Sequence, residues 1–283
     1  MLKSLLAKPG LLMVPGVWDG LSALLVEQAG FPALFLSGAS LSYASLGRPD
    51  VGFATASELA DACARIADRV QIPIVVDADS GYGHAVHLQR TVRSLARAGA
   101  SAVQIEDQAM LKPMAALQSR PLVPIAEMLG RLRAAQDARP SEALLISART
   151  DAQASVPFEE TLERCEAYIE AGCDMLLAEG LSTPEQAETL CARFASRVPL
   201  IHNLLEGGAS PYRRADELAP LGFKIALFAG ATVQTMTKAA RSMLADLQAS
   251  GTTLPMRDQM LTSPEMAGLT GAAALGEKAK GFQ

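Results

Sequence analysis

Histidine and cysteine, the side chains that hold soft metals, are scarce in this chain. Its 283 residues include three histidines, His84, His87 and His202, too few and too scattered for a histidine-based zinc site. The four cysteines, Cys63, Cys165, Cys173 and Cys191, show neither CxxC spacing nor a disulfide framework, and read as buried thiols of a reducing cytosol. No apolar run reaches membrane-spanning length and no secretory-signal pattern opens the chain, so a cytoplasmic location with no membrane partner is expected. A basic excess is missing too. The formal net charge of −5 offers no footprint for nucleic acid. No Gly/Ser-rich linker divides the chain. What remains is 49% hydrophobic and only 19% charged, enough apolar material for one large core.

Strand-like and helix-like segments alternate along that core. Short apolar runs fall at 11–14, 33–36, 73–76, 102–105, 144–147, 175–178, 199–202 and 224–228. Amphipathic stretches lie between them, among them 57–70, 85–98, 125–138, 158–171 and 184–195. Thr55 with Glu58 forms a capping-box pattern, and Thr183-Pro184 supplies an N-cap followed by a first-turn proline. Gly30, Gly99 and Gly172 sit where helices end. Eight such units predict an α/β fold, a (β/α)8 barrel over residues 1–250, with a doubly wound open sheet as the other arrangement that the periodicity allows. Residues 251–283 differ in character and read as a C-terminal helical arm packing on a neighbouring subunit, or as a loose terminus.

Polar groups follow the apolar runs. The third run, Ile74-Val75-Val76, leads straight into Asp77 and Asp79, and the fourth into Glu106. Acids at the edge of an apolar core are costly unless a cation meets them, and oxygen-only ligands suit a hard ion, Mg²⁺ with Mn²⁺ as a substitute. Arg149 ends the fifth run and offers a planar fork for a carboxylate, or for a salt bridge to Asp151 or Glu179. Asn203 can donate to a substrate oxygen, and Ser37-Gly38-Ala39 offers backbone N–H groups to an anion. In a barrel these ends converge at one mouth. The ligand such a mouth implies is a small, multiply anionic acid.

These motifs are similar to those of the isocitrate lyase/phosphoenolpyruvate mutase superfamily. The resemblance spans about Leu11 to Leu247. It rests on Leu36-Ser37-Gly38, Ser45-Leu46-Gly47-Arg48-Pro49-Asp50, Val76-Asp77-Ala78-Asp79-Ser80-Gly81-Tyr82-Gly83, Gln104-Ile105-Glu106-Asp107-Gln108, Ala148-Arg149-Thr150-Asp151-Ala152 and Tyr168-Ile169-Glu170-Ala171-Gly172-Cys173-Asp174. It implies a Mg²⁺ enzyme, commonly a homotetramer whose C-terminal helix is exchanged between neighbours. By the same matching, Asp77 would be the main metal ligand, with Asp79 and Glu106 helping. Ser37, Gly38, Ala39, Arg149 and Asn203 would hold substrate, with Asp50 close by.

One departure bears on the reaction. Lyases of this superfamily carry a Lys-Lys/Arg-Cys-Gly-His loop after the fourth strand, where this chain reads Lys112-Pro113-Met114-Ala115-Ala116. The lysine remains, but Met114 has no titratable proton, and a thioether cannot act as a general acid. The expectation is therefore a Mg²⁺-dependent carbon–carbon lyase working through a metal-bound enolate on a small 2-oxo or 2-hydroxy polycarboxylate. Decarboxylation of an oxaloacetate-like acid is favoured, with Lys112, Arg149 and Glu179 as catalytic groups and Lys112–Pro124 as a closing lid. Isocitrate-type aldol cleavage with another acid/base, phosphonopyruvate-type P–C chemistry and a catalytically silent dicarboxylate-binding barrel are the alternatives.

Overall fold

The computed structural model describes residues 1–109 and 121–282. Eight parallel strands close into a barrel in chain order: β1 (Leu12–Val17), β2 (Leu34–Leu36), β3 (Ile74–Asp77), β4 (Ala102–Glu106), β5 (Leu145–Thr150), β6 (Met175–Ala178), β7 (Leu200–Asn203) and β8 (Ile225–Phe228). Closure settles the choice against the open sheet, because β8 returns to pair with β1, Leu12 opposite Ile225.

Inward side chains recur every second residue along a strand. Val14, Phe35, Val75, Ala102, Leu145, Leu177, Ile201 and Leu227 belong to one buried cluster that fills the barrel. Two residues further on, the same inward rows reach Asp77 on β3, Arg149 (after Ser147) on β5, Glu179 after β6 and Asn203 on β7. Glu106 follows Ala102 and Gln104 on β4. An apolar filling thus carries a polar crown at the carboxyl ends of the strands, the face where barrels of this type place their chemistry.

Several strands run past the apolar runs that predict them. β3 includes Asp77, β4 includes Glu106 and β5 continues to Thr150, because these polar residues still pair in the ladder: Asp77 with Gln104, and Glu106 with Arg149. Hydropathy falls a residue or more before the hydrogen bonding stops. β1 continues through Pro15-Gly16 to Val17. Gly16 is required there, since a Cβ would collide with the backbone carbonyl of Ala229.

The helix Ala56–Ala67 starts on the capping box, Glu58 N–H donating to Thr55 Oγ1 at 3.3 Å and Thr55 N–H to Glu58 Oε2 at 2.8 Å. Thr183 caps Pro184–Phe194 in the same way, with Gln186 as its partner. The helices Ala85–Arg97, Ile125–Ala138 and Phe158–Glu170 lie where amphipathic periodicity predicts them. The chain forms two compact units, Met1–Ala231 and Thr232–Gln283. The barrel belongs to the first. The second holds nearly all of the helix Ala231–Ser250 and the helices Ser263–Thr270 and Ala272–Lys280. Among the described residues, no helix is long and apolar enough to cross a membrane.

Candidate active site at the carboxyl ends of the strands

Asp77, Asp79 and Glu106 come together. One carboxylate oxygen from each lies within 4.8 Å of the others, with Asp77 and Glu106 buried and Asp79 half-buried. The turn after β3 makes this possible. Its backbone takes positive φ at two residues that are not glycine, Asp79 (48°) and Tyr82 (60°), a conformation that side chains with a Cβ rarely adopt. The turn is held by Asp79 N–H donating to Asp77 Oδ1 at 3.3 Å, and by Glu106 N–H donating to the Asp79 carbonyl at 2.9 Å. Gly38 lies against both aspartates, since a Cβ there would stand 3.5 Å from Asp77 Oδ2 and 3.7 Å from Asp79 Oδ2. Three hard oxygen donors packed this closely repel one another unless a cation sits among them, so the donor set fits Mg²⁺ or Mn²⁺.

Arg149 faces this cluster from β5. Its Nε and Nη2 donate to Asp151 Oδ2 and Oδ1 at 3.0 and 2.9 Å, and Nε stands 3.6 Å from Glu106 Oε2. Burial pulls the guanidinium pKa down, but Asp151, Glu106, Glu179 and Asp77 outweigh it and hold it well above the ordinary value. The salt bridge to Asp151 therefore exists, and it aims the fork rather than consuming it, because Nη1 and the second hydrogen of Nη2 remain beyond those two bonds.

A cavity of about 340 Å³ opens over the crown, lined by Ser37, Ala39, Asp50, Asp77, Arg149, Glu179 and Asn203, all singled out in the sequence. Asp79 and Glu106 stand behind Asp77 instead of in the wall. Asn203 Nδ2 donates to Glu179 Oε2 at 3.2 Å, which fixes both side chains. Ser37 departs in part from its expected role: its hydroxyl accepts Ser40 N–H at 3.2 Å and its own N–H donates to the Val17 carbonyl. The first-turn N–H groups of Gly38 and Ala39 are those that no intrahelical carbonyl can reach. Lys112, Met114 and Ala116 lie outside the described residues, as does most of the predicted lid.

Trp18, Tyr43, Leu204 and Phe228 stand near the strand ends in the sequence, which does not decide which of them face the mouth. Leu205 and Leu227 line the cavity, because the inward row of β8 runs Ile225, Leu227, Ala229. Tyr43 does line it, and Trp18 is buried. Pro49, Val51 and Gln108 were missed as lining residues. Pro49 and Gln108 at least stood inside recognisable motifs.

His202 points outward into the helix layer and is buried. Its Nε2 lies 2.8 Å from Ser210 Oγ and its ring packs 4.9 Å from that of Phe223. Ser210 Oγ also accepts Tyr212 N–H at 3.2 Å. This is a packed histidine. Burial pushes its pKa from 6.5 down to about 4. The unfolded chain then binds the proton first, so folding stability falls as pH drops below 6.5 and levels off near 4. The expected extra slope is roughly 1.4 kcal/mol per pH unit in that window. Urea unfolding across pH checks it, and a His202→Gln variant should lack that slope. Burial likewise raises the four cysteine thiols, Cys63, Cys173 and Cys191 to about 12, so none of them is a nucleophile.

The family model for phosphoenolpyruvate phosphomutase matches residues 2–248. The chain belongs to the phosphoenolpyruvate mutase/isocitrate lyase superfamily. Among its relatives, a 2-methylisocitrate lyase of Aeropyrum pernix is 39% identical over 95% of this chain and 86% of that protein. A 2,3-dimethylmalate lyase of Eubacterium barkeri is 34% identical over 98% of this chain and 95% of that protein. Among solved structures, an oxaloacetate acetylhydrolase bound to 3,3-difluorooxalacetate superposes with a TM-score of 0.93 at 33% identity, covering 99% of this chain and 95% of the other. Family members named in this way are enzymes that act on small carboxylate or phosphonate acids. The crown of this barrel stands in that setting.

Proposed function

We propose that this member of the superfamily is a Mg²⁺-dependent carbon–carbon lyase of a small 2-oxo or 2-hydroxy polycarboxylate, with decarboxylation of an oxaloacetate-like acid favoured. The observation that carries this is one cavity lined by Asp77 and an anchored guanidinium, with Asp79 and Glu106 clustered against Asp77. Asp77 would hold the ion, with Asp79 and Glu106 completing the set. When bound, Mg²⁺ supplies Lewis-acid stabilisation of the negative charge that develops as the C–C bond breaks. Arg149 grips a substrate carboxylate through the N–H groups that Asp151 leaves over, and the N–H groups of Gly38 and Ala39 meet a second anionic end. Asn203 donates its other amide hydrogen to a substrate oxygen, and Asp50 lines the same cavity. Glu179 balances the guanidinium and orients Asn203. The buried Leu227 gives this cavity an apolar wall, and an apolar wall strengthens the charged contacts beside it. Lys112 would add a cation beside the developing charge.

Decarboxylation is favoured because it requires no protonic group at Met114. Aldol-type cleavage is the second reading, supported by the similarity to methylisocitrate and dimethylmalate lyases and by the presence of Glu179. The test is incubation with Mg²⁺ and oxaloacetate, methylisocitrate or phosphonopyruvate, followed by product assay. Pyruvate with CO₂ from oxaloacetate supports the proposal. Succinate with pyruvate from methylisocitrate supports the second reading, phosphate release points to phosphonate chemistry, and absence of turnover to a silent binding barrel. Acetate with oxalate from oxaloacetate would mean hydrolytic cleavage and would overturn the decarboxylase reading.

Met114→Cys restores the acid that the lyases carry. On this account it brings methylisocitrate cleavage up from background by about 10²-fold, the usual worth of a positioned acid, measured as succinate released. No gain would mean that more than this one side chain separates the site from the lyases. The resemblance also supports a cytoplasmic homotetramer. The second unit presents exposed apolar side chains, among them Leu244, Leu254 and Leu275, that a neighbouring subunit would cover. Light scattering should then give four times the 29.7 kDa chain mass.

A further inference from the structure

Asp107 follows Glu106 of the acidic cluster and precedes Gln108 of the cavity wall, yet its side chain takes no part in either. It is fully buried and turned outward, between the strands and the helix Phe158–Glu170. Four donors converge on it. Oδ2 accepts from Thr150 Oγ1 at 2.7 Å, Tyr168 Oη at 2.8 Å and Arg164 Nη1 at 3.3 Å, and Oδ1 accepts Asp151 N–H at 3.0 Å. The Asp107 backbone N–H donates to the Arg149 carbonyl at 3.2 Å. Asp107 thus holds three consecutive residues of the β5 end, Arg149, Thr150 and Asp151. Burial, with Asp107 adding to it, raises the Tyr168 phenol far above its ordinary pKa, so Tyr168 stays a donor.

Two buried arginines support the same segment. Arg131 Nη1 donates to the carbonyls of Glu106 at 3.1 Å and Gln108 at 2.9 Å. Arg164 Nη1 also donates to the carbonyl of Val123 at 3.0 Å, whose N–H returns to the Asp107 carbonyl at 2.9 Å. Burying an ion pair contributes little net stability, and well-packed apolar side chains often serve as well. What this arrangement adds is geometry. It joins the residue after Glu106 to the residue that grips Arg149, so a continuous chain of hydrogen bonds links the acidic cluster to the guanidinium.

We propose that Asp107, backed by Arg164 and Tyr168, is a positioning residue that sets the Arg149 fork against Glu106 by holding Thr150 and Asp151. The kinetic part of the claim rests on the lyase reading above; the structural part does not. The test compares Asp107→Asn and Tyr168→Phe, the second removing one hydroxyl and little else. Its first readout is hydrogen exchange of the Arg149 Nε–H by NMR, identified by its loss in Arg149→Lys. Exchange should be at least about tenfold faster in Asp107→Asn and measurably faster in Tyr168→Phe, both read well below the variant's thermal midpoint, which Asp107→Asn lowers by leaving the buried Arg164 charge unpaired.

The second readout is a double-mutant cycle on kcat/KM for the substrate that the parent turns over. Asp107→Asn should cost about 10²-fold in the parent, the size of effect that a small misplacement brings, yet less than about threefold in an Arg149→Lys background. Unchanged exchange in both variants overturns the proposal, whatever the activity. A full and equal cost in the Arg149→Lys background overturns it as well. A parent without lyase activity would refute the lyase reading and leave the exchange measurement to decide the positioning claim. If Asp107→Asn fails to fold, Tyr168→Phe carries both readouts, and unchanged exchange in it is refutation.

Discussion

Asp77→Ala should lower Mg²⁺-dependent turnover by about 10³-fold or more while the barrel stays folded. The size follows from the several kcal/mol that a metal Lewis acid supplies to a developing oxyanion. Asp77 is the central member of the cluster: it is buried, it lines the cavity, and its Oδ1 accepts the N–H that helps hold Asp79 at a φ of 48°. If these acids hold the ion, alanine removes one ligand and loosens a second. Thermal unfolding without metal should change little or rise, because one of three mutually repelling carboxylates has gone. Added Mn²⁺ should raise the parent's thermal midpoint and fail to raise the variant's. Metal-dependent activity within tenfold of the parent would remove these acids from the mechanism.

Arg149→Lys should cost about 10²-fold or more in kcat/KM, with most of the loss in KM if the guanidinium grips a carboxylate in the ground state. Lysine keeps the charge but not the fork. A compact ammonium cannot hold both Asp151 oxygens and still present coplanar donors to a substrate. The geometry makes this change severe: two of the bonds, at 2.9 and 3.0 Å, already belong to the buried Asp151, and Glu106 stands 3.6 Å from Nε. Steady-state kinetics with oxaloacetate as the probe gives the split. A change below threefold in both constants would mean that Arg149 only balances buried acids.

The barrel was legible in the sequence because each strand core is a short apolar run and amphipathic helical periods lie between the runs, two of them opened by the caps at Thr55 and Thr183. Asp77, Glu106, Arg149 and Asn203 could be placed for the same reason: an inward row that ends in a polar residue points into the mouth. Edges were less legible. Where a polar residue such as Thr150 still pairs in the ladder, composition falls away before the strand does. Which apolar side chains face the mouth was not legible: Leu227 lines the cavity while Phe228, its neighbour in the β8 ladder, does not, and composition does not tell two adjacent apolar residues apart. Asp107 carried no role in the sequence reading, and only its outward neighbours, Arg164 and Tyr168 from a helix dozens of residues later in the chain, give it one. No local pattern announces a contact of that range.

The central claim is that Asp77, Asp79 and Glu106 form the metal site of this enzyme. Diffraction from crystals grown with Mn²⁺, recorded near the manganese edge, tests it most directly. One strong anomalous peak among those three carboxylates is the predicted result. No peak there while Mn²⁺ still supports turnover, or a peak held by other residues, would contradict the account.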